Sequence, residues 1–362
     1  MPVEKFFSQT YAEAREKFIQ AAEFRAMKLH SAIHPDRTGP DGEALSIDFA
    51  LHSPENARAV LVLTSGTHGV EGFCGSGCQT GLLNDSALLD ELSARNIALL
   101  LVHAVNPYGF AHLRRVNEDN VDLNRNATDF SQVADANPLY KDLDPLLLPA
   151  TWPPADLDNA ALGAYIQQHG ERTLRDVTSK GQYDVADGMF YGGNAPCWST
   201  RELRAILSTY VSRFDRLAWI DIHTGLGQYG HGEKIFMSKD TAELQRARDW
   251  WGCDVKPIFE PGSVSADAQG PLLNLVYDAC PAVEKTTLAL EFGTLEPLRV
   301  LHALRAEHWL YRHPDVSTDQ AAQIRQELKN AFYCDAAEWK GMVYAQTRVV
   351  ALQAMNGLAR HD

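Results

Sequence analysis

The chain has 362 residues, 45% of them hydrophobic, enough to bury the core of one large α/β domain or two smaller ones. Lys and Arg total 33 against 47 for Asp and Glu, and the resulting formal charge of −14 argues against a nucleic-acid backbone or an anionic membrane surface as partner. No apolar run approaches the roughly 18 residues of a membrane span, the segment Met1–Phe7 lacks an apolar leader, and six scattered cysteines suit a reducing compartment, so a cytoplasmic protein is expected.

An amphipathic helix is predicted from about residue 10 to 32, broken by Pro35 through Gly42. Strand-like runs follow at Ala44–Leu51, Ala59–Thr64 and Ile97–Val102. A glycine-rich turn and a helical stretch over Gly75–Arg95 separate the last two, a rhythm that predicts a parallel βαβ unit. Between Ala127 and Trp198 lies a long insertion in which Pro138, Pro145, Pro149, Pro153 and Pro154 carry it over the surface around a helix near Leu157–Ser179; excursions of this length beside a site often shape it. The turn-rich Asp187–Gly193 carries aromatics that either pack the loop or wall a substrate. Arg201–Tyr210 is helical by its spacing. Strands return at Leu217–Ile222 and Thr287–Phe292, with Lys234–Met237 weaker, and helices are predicted at Thr241–Trp251, Leu298–Tyr311 and Thr318–Phe332. The pattern favours one domain with a helical C-terminal appendix at about 315–362.

The chemistry gathers where apolar strands end. His68 and Glu71 follow the β-branched run Ala59–Thr64, and in α/β folds ligands collect just beyond the carboxyl ends of strands. His52-Ser-Pro-Glu55 has the same spacing but sits beside a proline turn, which marks surface decoration. His223 leaves a second apolar strand into a glycine-containing turn. Two imidazoles and a carboxylate hold one Zn²⁺ and leave a fourth position for water, as hydrolytic zinc requires. Further on, the polar run Arg114–Asn126 supplies guanidinium groups able to bind a substrate carboxylate or steady an oxyanion. Glu291, emerging from a third apolar strand, is placed as the general base and acid.

Other candidates have plainer readings. Cys74 and Cys78 are expected as buried helix residues rather than soft ligands, and His103, His112 and His231 as packing or surface groups. Ser76 lacks the frame of a nucleophile elbow, and its flanking glycines are expected to let helix and strand approach closely.

The order of these pieces resembles the M14 zinc carboxypeptidase superfamily: His68-x-x-Glu71, Asn106-Pro107-Tyr108-Gly109, Arg115 through Asn126, then His223 and Glu291 on later strands. The resemblance runs from about Ala59 to Gly293, and the loops at Phe190–Gly193 and Ile222–Gly225 look most like its bacterial DUF2817 group. It implies a doubly wound, mostly parallel mixed sheet with helices on both faces, in a single domain. It also implies His68, Glu71 and His223 as zinc ligands and Glu291 as base and acid. Arg115 takes the oxyanion role, Asn124 and Arg125 hold the substrate carboxylate, and Asp122 orients the first histidine.

The chain departs from that pattern in three places, one of them the Ala127–Trp198 insertion itself. Neither Tyr229 nor Tyr277 stands in a matching motif for the family's mobile tyrosine, and no residue of Ser263–Tyr277 is identified as the reader of a substrate side chain. The expected activity is zinc-dependent hydrolysis of an amide next to a free carboxylate, on a small peptide. An N-acyl amino acid deacylase is the nearest alternative, since the insertion could exclude polypeptides. A carboxylate-binding protein without turnover is the alternative of another class, disfavoured because a binder has no need of Glu291. The number of copies in the assembly stays open.

Overall fold

The computed structural model describes residues 2–133, 137–260 and 262–360; residues 134–136 of the predicted insertion lie outside them. Eight strands form one mixed sheet: β1 (Lys28–Thr38), β2 (Ala44–His52), β3 (Ala59–Thr64), β4 (Ile97–His103), β5 (Arg216–Tyr229), β6 (Gly232–Phe236), β7 (Lys256–Pro257) and β8 (Glu284–Gly293). Their order is β1-β2-β4-β3-β5-β8-β6-β7, with β4, β3, β5 and β8 parallel at the centre and antiparallel pairings flanking them. From β3 the chain first crosses to β4 on one side and later to β5 on the other. The crevice at the carboxyl ends of β3 and β5 is therefore where such a sheet opens to receive a ligand.

All six residues of β3 are buried, because the sheet is covered on both faces. Strand alternation divides them: Leu61 and Leu63 join one core with Phe18, Phe73, Leu82 and Trp339, while Val60 and Val62 join another with Leu203, Leu207, Leu272 and Val276. A third core lies beyond the sheet, where Tyr140, Leu143, Leu174 and Phe190 of the insertion meet Val300, Trp309, Leu328 and Phe332. The expected appendix is thus integral to the fold. Its last helix, Ala337–Ala359, buries Trp339, Val343, Val350, Ala354 and Leu358 in the first core, and its preceding helix, Thr318–Phe332, supports the insertion.

Several predicted boundaries move. The opening helix is capped by the Thr10 side chain but stops at Phe24, and Lys28–Thr38 is an edge strand. Residues 28–32 have helical composition, yet pairing of Lys28–Ile33 with Ser46–Leu51 overrides it, and Pro35 sits where the register is irregular at the sheet edge. Gly75–Arg95 holds two helices, Gly72–Leu83 and Ser86–Ala94, the second capped by Asp85. Within the insertion, Gly170 at φ 85° divides the predicted helix into Asp156–His169 and Glu171–Ser179. A further helix at Tyr140–Leu147 accommodates Pro145 and was not anticipated. Among the described residues no helix is long and apolar enough to cross a membrane.

Candidate metal centre and catalytic site

His68 and Glu71 lie on the short turn between β3 and the Gly72–Leu83 helix. That turn is bound to the polar run behind it, with Gly69 N donating to Arg115 O at 3.0 Å and Val70 N to Arg114 O at 2.9 Å. A Cβ on Gly69 would stand 2.0 Å from the Gly109 carbonyl carbon, so only glycine permits this approach. Gly75 likewise lets the helix lie against Ser65, as the glycines around Ser76 suggested. His223 comes from β5, two strands' separation in sequence but an adjacent strand in space.

The three side chains converge. His68 Nδ1 lies 2.7 Å from Glu71 Oε1 and His223 Nδ1 lies 3.1 Å from Glu71 Oε2, and the rings are 5.0 Å apart. One donor atom from each residue falls within 4.8 Å of the others, and all three residues are buried. Behind them, His68 Nε2 is 3.1 Å from Asp122 Oδ1 and His223 Nε2 is 2.7 Å from Asp221 Oδ2. Asp122 also accepts from Arg115 Nε at 3.1 Å and from Asn124 N at 2.9 Å. Two imidazole nitrogens facing one carboxylate, each ring with its far nitrogen engaged by a second carboxylate, form a donor set suited to Zn²⁺.

Buried charge tunes this cluster. Burial opposes ionisation of Glu71, but the adjacent imidazoles outweigh it and hold the carboxyl below its usual range. Burial also opposes charge on Asp122, and there Arg115 and His68 prevail, holding it well below the carboxylate norm. For His223 burial favours the neutral ring, yet Asp221 and Glu71 together raise its pKa well above that of free histidine.

Glu291 stands on β8 in register with His223, so both side chains leave the same face of neighbouring parallel strands. Its Oε1 accepts Leu226 N at 3.0 Å, and burial followed by the Glu71 carboxylate pushes its pKa up to about 8. Such an acid is poised to exchange a proton near neutrality.

Arg115 sits against the ligands, with Nη1 3.3 Å from Glu71 Oε1 and Nη2 2.8 Å from His68 Nε2. Its neighbour Arg114 turns away to pair with Glu307 and Asn120. The run from Arg114 to Asn126 is largely buried and hydrogen-bonded rather than a solvated loop. Asn124 and Arg125 are adjacent to the centre but already engaged. Asn124 Oδ1 accepts Leu272 N at 2.8 Å, while Arg125 donates through Nε and Nη2 to Ser179 O and through Nη1 to Asn124 O. Three of the five guanidinium N–H groups thus hold backbone carbonyls. Arg125 thus also braces the centre against the insertion, with two N–H groups to spare. Phe190 covers both arginines, its ring 5.0 Å from the Arg115 guanidinium and 5.6 Å from that of Arg125.

The remaining candidates fall outside. Tyr277 donates to Glu243, and Tyr229 is exposed with its hydroxyl near Glu338. His52 bonds Ser93, His103 is buried against Ser76 and Phe18, and His112 meets Thr38 O. Cys74 and Cys78 are buried on their helix and do not join the His–Glu–His group. Asp221, Thr64, Thr67 and Ser179 were not singled out from sequence. Only Asp221 carried a readable signal, since Asp-x-His on a strand places both side chains on one face.

Residues 7–346 match the family model described as "Protein of unknown function (DUF2817)". The chain belongs to the DUF2817 family. No curated protein matches it. Among solved structures, this DUF2817 chain is similar to carboxypeptidase A from Helicoverpa armigera, at 15% identity and a TM-score of 0.44 over 95% of this chain and 74% of that one. It is also similar to a metallo-carboxypeptidase from Burkholderia cenocepacia, at 10% identity and a TM-score of 0.45 over 97% and 70%. An aspartoacylase family protein from Mesorhizobium loti matches at 15% identity and a TM-score of 0.40 over 78% and 66%.

Proposed function

We propose that this protein is a zinc-dependent hydrolase that cleaves an amide bond next to a free carboxylate. The observation that carries the reading is the convergence of His68, Glu71 and His223 on one point beside a buried acid whose pKa is raised. His68 and His223 would hold the ion through Nδ1 and Glu71 through its carboxylate. When bound, Zn²⁺ supplies Lewis acidity and lowers the pKa of coordinated water to about 7.

The chain's own groups do the rest. Glu291 takes a proton from the attacking water and returns it to the leaving amine, a role worth roughly 10²–10⁴-fold. Arg115 offers positive charge where the attacked carbonyl becomes an oxyanion, and Asp122 holds that guanidinium and His68 in fixed orientation. The substrate carboxylate meets the free amide of Asn124 and the two spare N–H groups of Arg125. Phe190 over both guanidinium groups favours a compact substrate, which supports N-acyl amino acids alongside short peptides.

The test is metal analysis of the purified protein with turnover assays on short peptides and N-acyl amino acids, before and after chelation. Bound zinc at one per chain and activity lost with the metal support the reading. Full activity in the metal-free protein refutes it. A preference above about 100-fold, roughly 2.7 kcal/mol, decides between the two substrate types.

A further inference from the structure

We infer that Asp221 is the positioning residue of His223, fixing the ring so that Nδ1 is the nitrogen offered to metal. This rests on the proposed metal centre and concerns a residue outside its ligand set. Asp221 and His223 are two apart on β5 and therefore share a face, and their contact is 2.7 Å from Oδ2 to Nε2.

The carboxylate is itself pinned. Thr64 Oγ1 donates to Oδ1 at 2.6 Å, and Thr67 Oγ1 lies 2.9 and 3.0 Å from the two oxygens. Thr64 in turn accepts Trp219 Nε1 at 2.9 Å. Thr64 ends β3 and Thr67 immediately precedes His68. Asp221 therefore ties the segment bearing the first histidine to the strand bearing the second.

Two features separate this carboxylate from a packing group. It is 1% exposed, and its hydrogen-bonding partners are two hydroxyls and the imidazole, with no lysine or arginine, whereas Asp122 shares its charge with Arg115. A buried carboxylate costs several kcal/mol unless its partners compensate, and packing alone would be served by an apolar side chain. What Asp221 contributes is acceptance of the Nε2 proton, which sets the tautomer, stops ring rotation and makes Nδ1 a better donor.

The experiment uses the full chain with Asp221→Asn, which keeps shape and an acceptor oxygen but removes the charge, and with Thr67→Val, which loosens Asp221 while leaving it in place. Zinc affinity is measured by chelator competition, and the His223 ring proton is followed in ¹⁵N-edited spectra of the zinc-loaded protein. Asp221→Asn should weaken zinc binding by about 10–100-fold, with Thr67→Val losing less. The His223 Nε2 proton should move upfield in Asp221→Asn.

A folded Asp221→Asn protein with affinity within about threefold of wild type, or a His223 proton found on Nδ1 in zinc-loaded wild type, would overturn the assignment. Should Asp221→Asn not fold, unchanged affinity in Thr67→Val overturns it. Wild-type protein that takes up no zinc removes the metal centre itself, and this inference with it.

Discussion

Glu291 and His223 face each other across β8 and β5 in register, which brings a buried acid beside an imidazole of the His–Glu–His cluster. Burial and Glu71 raise the acid's pKa from 4.5 to about 8. In the metal-free fold it therefore keeps its proton where the unfolded chain has released it, and stability falls as pH rises from 4.5 through about 8.

Replacing Glu291 with Gln removes that penalty and the proton carrier together. At pH 7 the metal-free variant should be more stable by about 3 kcal/mol, while the zinc-loaded variant should lose about 3–5 kcal/mol of transition-state stabilisation. Denaturant midpoints and kcat/KM on the same preparations check both. Wild-type activity would remove Glu291 from the mechanism, and unchanged stability would mean that its carboxyl is not held protonated.

The residues that proved legible from sequence were those at which an apolar strand ends in a ligating side chain. His68, His223 and Glu291 could be read because β3, β5 and β8 are buried on both faces, so a polar residue at their ends stands out. Lys28–Thr38 was misread because its strand identity comes from pairing with β2 and not from its own composition. The bracing role of Arg125 was not legible because its bonds go to Ser179 O, a backbone atom 54 residues away that no side-chain pattern announces. Phe190 was visible as one of the aromatics that pack the loop or wall a substrate, but its place over two arginines was not, since that depends on the path of the insertion.

Zinc uptake should depend on pH. Both nitrogens of His223 face carboxylates, and although burial disfavours its charge, Asp221 and Glu71 raise its pKa well above the ordinary value. The proton on Nδ1 must leave before that nitrogen can bind metal, so apparent affinity should rise as pH rises above about 6.5. Chelator competition at several pH values measures this, and a flat profile would contradict the protonation assigned to His223.

Arg125→Lys separates the bracket from the carboxylate contact. A lysine cannot reproduce three directed bonds to Ser179 O and Asn124 O, and stability should fall by about 2 kcal/mol. If the spare N–H groups also hold the substrate, KM should rise more for a carboxylate substrate than for its carboxamide. An equal rise for both would assign Arg125 to scaffolding alone.

Acid should destabilise the protein through two histidines far from any ligand role. His103 and His308 are both fully buried, and burial lowers each pKa from 6.5 to about 4. The unfolded chain binds a proton at each below pH 6.5 while the fold does not, so stability is lost as pH falls from 6.5 towards 4 and levels off below. Between pH 4.5 and 6.5 these two slopes oppose that of Glu291 and outnumber it. His103→Gln retains a partner for Ser76 and has no proton to gain. It should remove about 2 kcal/mol of the stability difference between pH 7 and pH 5, whatever its effect at pH 7 itself. Denaturant midpoints of wild type and variant at the two pH values give the comparison, and parallel losses would show that His103 takes up no proton on unfolding.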